Sequence, residues 1–420
     1  MLKDHMPTFS NATIRKYSNW IPLFLIVFPT LMALIPLVVE VPPRRALYYT
    51  PALAVIFNIL VISFAIATGA LERLRSISVK CLPGVFGAVL LIIAGYSTIS
   101  AVSPRYSALK LFDLLLFLGL SYFGAYIFEQ GGRRLIRFVL IAIFGSVILA
   151  IPLVAILFLL RTPDYFIWPN FIPGFIYVRI YGFSLTLSIA VGIGLLALPT
   201  LQKSGAKALI VAGLVLLWTT LFWTSSRGGI YALILVFPVL AFLFAELRKA
   251  LMPVILSIIV GAAISSQLSV PNENFGFINS FIGFIDSSSV NDFSANRLWE
   301  WSVILDFIAE KPFFGHGYGQ AIFVDPAAGV VHAHVHNIVL EAAFSWGWVG
   351  AIFAGFLVLG SWFAGLKKTL TGDVPERLCA FILVSVFLVY AWVDGIYYYY
   401  QGLIPLGICV GILASNPKRD

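Results

Sequence analysis

SVPNENFGFINSFIGFIDSSSVNDFSANRLWEWSVILDFIAEKPFFGHGYGQAIFVDPAAGVVHAHVHN, residues 269–337, is the only long polar segment in an otherwise apolar chain of 420 residues. Four of the five histidines (His316, His332, His334 and His336) lie in it, together with Arg297 and the turn Gly315-His316-Gly317-Tyr318-Gly319. Chemistry, if the chain performs any, is expected here. The sequence on either side decides the fold. With 60% hydrophobic and 11% charged residues and a mean hydropathy of +0.97, the chain has too much apolar surface for a water-soluble globule. Apolar runs of roughly 18 to 25 residues recur along it, long enough to cross a hydrocarbon core as helices. They do not alternate as barrel strands would, and in lipid a helix satisfies every backbone N–H and C=O internally.

The expected fold is therefore all-α: one polytopic membrane domain over residues 1–420, with about twelve transmembrane helices. The runs fall at about 20–39, 46–68, 84–102, 109–128, 134–160, 177–198, 206–224, 228–246, 250–268, 338–365, 377–395 and 397–414. The first reads as an uncleaved span rather than a signal peptide. The segment 269–337 then joins spans nine and ten. On this layout the N-terminus, Arg73/Arg75/Lys80, Arg133/Arg134/Arg137, Lys203/Lys207, Arg248/Lys249, Lys367/Lys368/Arg377 and Lys418/Arg419 share one face, 18 of the 27 Lys and Arg. By the positive-inside rule that face and both termini are cytoplasmic, and the large loop faces outward. The net charge of +8 reflects loops meeting anionic lipid and does not argue for nucleic acid. Cys81, Cys379 and Cys409 are isolated, which argues against a disulfide framework or a zinc–thiolate site.

Several outer-face residues have both an ordinary and a chemical reading. Lys110 and Asp113, one turn apart, read as a structural pair. Arg227, in Thr224-Ser225-Ser226-Arg227-Gly228-Gly229, is either an interfacial residue in a tight turn with Ser226 capping the next helix, or a phosphate ligand whose following glycines let backbone approach closely. Arg161, ahead of Thr162-Pro163-Asp164, is a further phosphate contact or a partner of Asp164. Within the loop, Phe-rich residues 275–284 suit the head-group layer. Ser294 caps a predicted amphipathic helix with apolar positions Leu298, Trp301, Ile304, Leu305 and Ile308, ending before Pro312. Arg297, in its first turn, pairs with Glu300 or joins the helix-start N–H groups as an anion site.

The glycine-rich turn lacks the strand and lysine of a nucleotide loop and reads as a flexible return to the bundle. His332, His334 and His336 would share one face of an extended segment, so they are either metal ligands or a general base with polar neighbours. His336 is the best-placed base, because Asn337 can cap the tenth span and hold it at a helix entrance. Glu341, one turn on, either orients the imidazole or is a helix-start acid.

Ser226-Arg227-Gly228, Asn296-Arg297 with Trp301, Gly315-His316-Gly317, and His336-Asn337 followed by Gly347 and Gly350 together resemble the O-antigen ligase and polymerase superfamily. The layout, with its large loop between spans nine and ten, is similar to the ligase branch. The resemblance implies an inverting, metal-independent glycosyltransferase of the GT-C type that needs no cofactor. Its implied donor is an undecaprenyl-diphosphate-linked glycan, and for the ligase branch its acceptor is lipid A-core at the outer face of the cell inner membrane. It implies diphosphate-binding roles for Arg227 and Arg297 and activation of the acceptor hydroxyl by His336, while His332 and His334 receive no role.

The residue chemistry is consistent with this, since guanidiniums aimed at a departing diphosphate can stabilise the charge that builds there. An O-antigen polymerase is the nearest alternative, though its two large Arg-rich outer loops have no counterpart in the short 161–176 join. A protein O-oligosaccharyltransferase is another, with a further C-terminal soluble part expected after the last span. From a different class, a transporter would show broken polar helices repeated in two halves, and Pro152 and Pro238 alone do not make that pattern.

Overall fold

The computed structural model describes residues 17–27, 43–71, 82–160, 171–172, 175–202, 204–282, 297–323 and 334–417. They are almost wholly helical: α1 (Pro43–Ala67), α2 (Leu82–Ile99), α3 (Pro104–Leu160), α4 (Val178–Ala197), α5 (Ser204–Trp223), α6 (Arg227–Leu243), α7 (Ala245–Ser265), α8 (Arg297–Glu310), α9 (Ile338–Leu370), α10 (Glu376–Ala391) and α11 (Tyr400–Ala414). A two-residue antiparallel pair, β1 (Phe171–Ile172) with β2 (Ile176–Tyr177), precedes α4. Of the described helices five are long and apolar enough to cross a membrane, and four more are shorter apolar helices. The first expected span lies mostly outside the described residues. The fourth and fifth run together as the 57-residue α3, broken at Gly132, where φ is 75°.

Burial follows composition. α4 carries no charge beyond Arg179 and is apolar all round, and every residue of its spanning window is buried, as expected for a helix surrounded by others. It packs against α3, α5, α6, α7, α10 and α11. α9 is peripheral: only 11% of its apolar window is buried, and Ile352, Phe356, Leu359 and Phe363 face outward as a lipid-facing surface does.

Each end of the bundle has its own set of charged contacts. At one end Arg133 and Arg137 both meet the buried Glu376, at 3.1 and 2.8 Å. Lys368 and Arg377 bond the carbonyls of Ala414 and Ser415, and the Asn416 N–H bonds Glu129. These belong to the basic set that the sequence placed on one face. α10 runs from Glu376 at this end to the turn holding Asp394 at the other, a rise of about 24 Å for a helix of its length. The large loop and Lys110 lie at that second end, where the Lys110–Asp113 pair read from the sequence is present at 3.6 Å.

α8 forms where the apolar spacing predicted and stops at Glu310, before Pro312. Its buried face is narrower than expected. Ile304 and Ile308 pack with Trp301 against Phe344 and Ala343 of α9, whereas Leu298 and Leu305 are exposed, because they fall on a stripe beside that face. Ser294 lies outside the described residues. The start of the loop packs on the bundle: Phe275 is buried against Trp223, and the half-buried Phe277 meets Phe222. The Gly276 N–H bonds the Trp223 carbonyl and the Ser225 hydroxyl bonds the Gly276 carbonyl.

The glycine-rich turn is pinned, not flexible. α9 is kinked at Gly347, whose φ is 68°, and the kink exposes carbonyls that accept from the His316 N–H (Phe344, 2.8 Å) and the Gly317 N–H (Ser345, 2.9 Å). Both backbones approach so closely that a Cβ at Gly347 would lie 2.2 Å from Phe313 C, and one at Gly315 2.5 Å from Ser345 C. His316 stacks on Phe344 and bonds the Phe307 carbonyl through Nε2, so it serves as packing between α8 and α9.

Candidate active site

Four helices begin at the loop end of the bundle. α4 brings Arg179 in its first turn, α6 opens on Arg227, α8 opens on Arg297, and α9 is entered through His336 and Asn337. Three guanidiniums thus sit at helix starts, where positive dipole ends lie, and those of Arg297 and Arg179 act on both His336 and Asp394. Asn337 holds the entry to α9: its side chain accepts from the N–H groups of Val339 (2.9 Å) and Leu340 (3.0 Å), and its amide donates to the Trp392 carbonyl.

Asp394, in the turn after α10, ties the set together. Its Oδ1 accepts from His336 Nδ1 at 3.0 Å, and its Oδ2 meets Arg297 Nη2 at 3.1 Å. The Gly395 N–H adds a third bond to Oδ1 at 2.8 Å. Burial works to raise the Asp394 pKa, but Arg297, the bond and charge of His336, and Arg179 outweigh it and hold the carboxyl well below the usual carboxylate range. An ionised carboxylate only accepts, so Nδ1 carries the proton and Nε2 the lone pair. Burial lowers the His336 pKa, with Arg297 and Arg179 adding to the effect and Asp394 opposing it. The imidazole is thus neutral near pH 7, the form a general base requires.

The backbone around this ring is fixed on both sides. The Val335 N–H donates to Glu341 Oε2 (3.0 Å) and the Val335 carbonyl accepts from Trp301 Nε1 (3.1 Å), so α8 and α9 clamp the residue between the two histidines. His336 itself adopts φ 56°, a left-handed conformation that costs a non-glycine residue about 1–2 kcal/mol and persists where surroundings over-determine it. Glu341 consequently holds the loop backbone and, through Oε1, the Ser345 hydroxyl; the group that orients the imidazole is Asp394.

Arg227 opens α6 at the same end, with a different local geometry from the one expected. Ser226 makes no side-chain cap, because its hydroxyl bonds that of Thr224. The glycines after Arg227 admit protein rather than leaving open backbone: a Cβ at Gly228 would lie 2.7 Å from the Tyr390 ring, and one at Gly229 would strike Thr186. Tyr390 in turn accepts the Asp394 N–H through its carbonyl, so Arg227 begins one helix layer from the Asp394 turn. Arg161 and His332 lie outside the described residues. Among the described residues no three His, Cys, Asp or Glu side chains are grouped to hold a metal ion, and Cys379 and Cys409 are buried free thiols.

A sequence model of a protein family described as O-Antigen ligase matches residues 212–355. The match runs from within α5 through Arg227, Arg297, the glycine-rich turn and His336 into α9. A general O-oligosaccharyltransferase of Acinetobacter baylyi (strain ATCC 33305 / BD413 / ADP1) is 26% identical over 132 residues, 29% of this chain and 22% of that relative. The alignment therefore covers about a fifth of the relative's length. The chain is similar to the O-antigen ligase family over residues 212–355, and to the oligosaccharyltransferase over part of its length. With its apolar helices long enough to cross a membrane, the chain has the make-up of a multi-pass membrane protein.

Two members of the site lie outside the matched residues and escaped the sequence reading. Arg179 is one of the nine Lys and Arg left outside the 18 that share the other face, with no motif to mark it out. Asp394 fell within an assigned span, yet a single acid near the end of an apolar helix, in Trp392-Val393-Asp394-Gly395, is itself a signal for a functional group.

Proposed function

We propose that this protein is an O-antigen ligase of the superfamily it resembles, transferring a polysaccharide from undecaprenyl diphosphate to a hydroxyl of lipid A-core at the periplasmic face of the cell inner membrane, with both termini cytoplasmic. The observation that carries the reading is the Arg297–Asp394–His336 chain of contacts, which joins the start of α8, the entry to α9 and the turn after α10. His336 Nε2 takes the proton of the acceptor hydroxyl as its oxygen attacks the anomeric carbon. The bond from that carbon to the diphosphate oxygen breaks, the configuration inverts, and the electron pair leaves with the lipid diphosphate.

Arg227 and Arg297 stabilise the charge building on the departing diphosphate, with Arg161 as a further contact. Arg297 can serve Asp394 and the donor together, since a guanidinium offers five N–H donors and the ion pair engages Nη2. No step in this scheme calls on a metal or other cofactor. Asn337 and Glu341 support the base from behind, one at the helix cap and one on the Val335 N–H.

The test is a reconstituted transfer from undecaprenyl-diphosphate glycan to purified lipid A-core in EDTA, comparing wild type with His336→Ala. Glycan-capped lipid A-core from wild type alone is the expected result, and abolition by EDTA would overturn the metal-independent scheme. The oligosaccharyltransferase similarity favours a second reading, in which the acceptor is a protein hydroxyl. Transfer to a protein acceptor but not to lipid A-core would establish it. Elongation of undecaprenyl-linked chains alone would instead indicate a polymerase.

A further inference from the structure

The histidine two residues before the proposed base has a place in the geometry that the transfer scheme does not use. His334 is buried, 3% exposed, and its ring centroid lies 4.2 Å from that of His336 with the planes at 76°. Its other side meets the Asp394–Gly395 turn. A Cβ added to Gly395 would fall 2.1 Å from His334 Cε1, 2.3 Å from Nδ1 and 2.4 Å from Nε2, so the turn's backbone lies directly against the ring. The Gly395 N–H donates to the same Asp394 oxygen that accepts from His336 Nδ1. The ring of His334 therefore touches the base on one side and the backbone carrying its carboxylate partner on the other.

We propose that His334 is a positioning residue whose ring, wedged between His336 and the Asp394–Gly395 turn, sets the spacing at which the imidazole and the carboxylate meet. This rests on the reading of His336 as the base. The wedge is itself braced: Tyr399 OH and His334 Nε2 are 3.3 Å apart, the Tyr398 ring lies 5.4 Å away, and Val335 is clamped by Glu341 and Trp301. An ordinary packed histidine would also be buried. It would not explain why residue 395 has room for no side chain at the point where the carboxylate turns toward the base.

The charged groups facing His336 are Asp394 after α10, Arg297 from α8 and Arg179 from α4. Asp394 alone among these favours the imidazolium, so loosening its contact moves the titration of His336 to lower pH. The experiment uses the full chain in nanodiscs with three readouts: transfer rate, donor KM, and the His336 titration followed by NMR of labelled histidine. The third readout needs no turnover. His334→Phe keeps a ring and loses the Tyr399 bond, whereas His334→Gln can keep that bond and loses the ring.

If the ring is the wedge, His334→Gln lowers kcat by about ten- to a hundredfold, with donor KM little changed, and moves the His336 titration down. His334→Phe stays within about fivefold of wild type and leaves the titration in place. Gly395→Ala falls as His334→Gln does, and His334→Ala/Gly395→Ala is no worse than Gly395→Ala, because the smaller residue at 334 vacates the space. Equal loss in the Phe and Gln variants, an unmoved titration in the Gln variant, or additive losses in the double variant would overturn the proposal. A wild type without transfer defeats the ligase reading instead, and the titrations still decide the wedge.

Discussion

Asp394→Asn separates the charge of this carboxylate from its shape. The wild-type carboxylate accepts from a buried imidazole at 3.0 Å and meets a guanidinium at 3.1 Å; asparagine keeps an acceptor oxygen but loses the charge. A hydrogen bond to a charged group contributes about 1.5–3 kcal/mol. If that is expressed as the imidazolium forms, its loss slows transfer by about one to two decades, at 1.36 kcal/mol per decade. The whole contribution of a general base, about 10²–10⁴-fold, is the ceiling. The assay is kcat and donor KM against pH with reconstituted protein, for wild type, Asp394→Asn, His336→Ala and the double variant. Asp394 opposes the lowering of the His336 pKa, so without its charge the acid limb of the profile moves to lower pH while the plateau falls. In a His336→Ala background the Asn substitution costs little further, because Asp394 acts through the ring. Wild-type activity in Asp394→Asn, an acid limb moved upward, or full loss on top of His336→Ala would refute the pairing.

Arg297→Ala lowers kcat by about one to two decades and moves the acid limb the opposite way, to higher pH, since Arg297 helps to hold the His336 pKa down; the same pH series measures both. Gly347→Ala places a Cβ 2.2 Å from Phe313 C at a φ of 68°. Left-handed strain of about 1–2 kcal/mol and overpacking of about 1–3 kcal/mol then lower the thermal midpoint, read by a thiol-free thermal shift in detergent. Glu376→Gln leaves Arg133 and Arg137 sharing a neutral amide at the opposite end of α10. It lowers the thermal midpoint while the acid limb of the transfer profile stays in place, which comparison of the two assays would show.

Much of this arrangement was legible because one physical rule dominates it. Continuous apolar runs have no stable state in lipid except the helix, and an Asn ahead of an apolar run is a cap wherever it occurs, as at Asn337. The end of α8 was equally plain from Pro312. What sequence did not reveal were contacts between distant elements. Asp394 lies 58 residues beyond His336, and Glu341, only five residues on, looked the better partner by nearness along the chain. The start of α9 turns Glu341 toward Val335 instead. The glycine-rich turn read as flexible because its anchors are carbonyls freed by a kink at Gly347, and no residue in the turn signals a kink some thirty positions later. Gly228 and Gly229 looked like room for a ligand for a related reason: what fills that space, Tyr390 and Thr186, comes from two other helices.

The charges around His336 imply a coupling between donor binding and the strength of the base. Without donor, Arg297 and Arg179 combine with burial to keep the imidazole neutral. On the proposed scheme, a diphosphate bound by Arg297 brings negative charge close to the ring and offsets what that guanidinium does to it. An anion beside a histidine favours its protonated form, so the His336 pKa rises on donor binding, and with it the ring's capacity to take a proton from the acceptor hydroxyl. The pH dependence of kcat/KM reports the free enzyme and that of kcat reports the loaded one. With the donor varied, the acid limb of kcat/KM should therefore lie at lower pH than the acid limb of kcat. Coincident limbs would mean that the bound diphosphate is too distant from His336 to act on it, and that Arg297 answers to Asp394 alone.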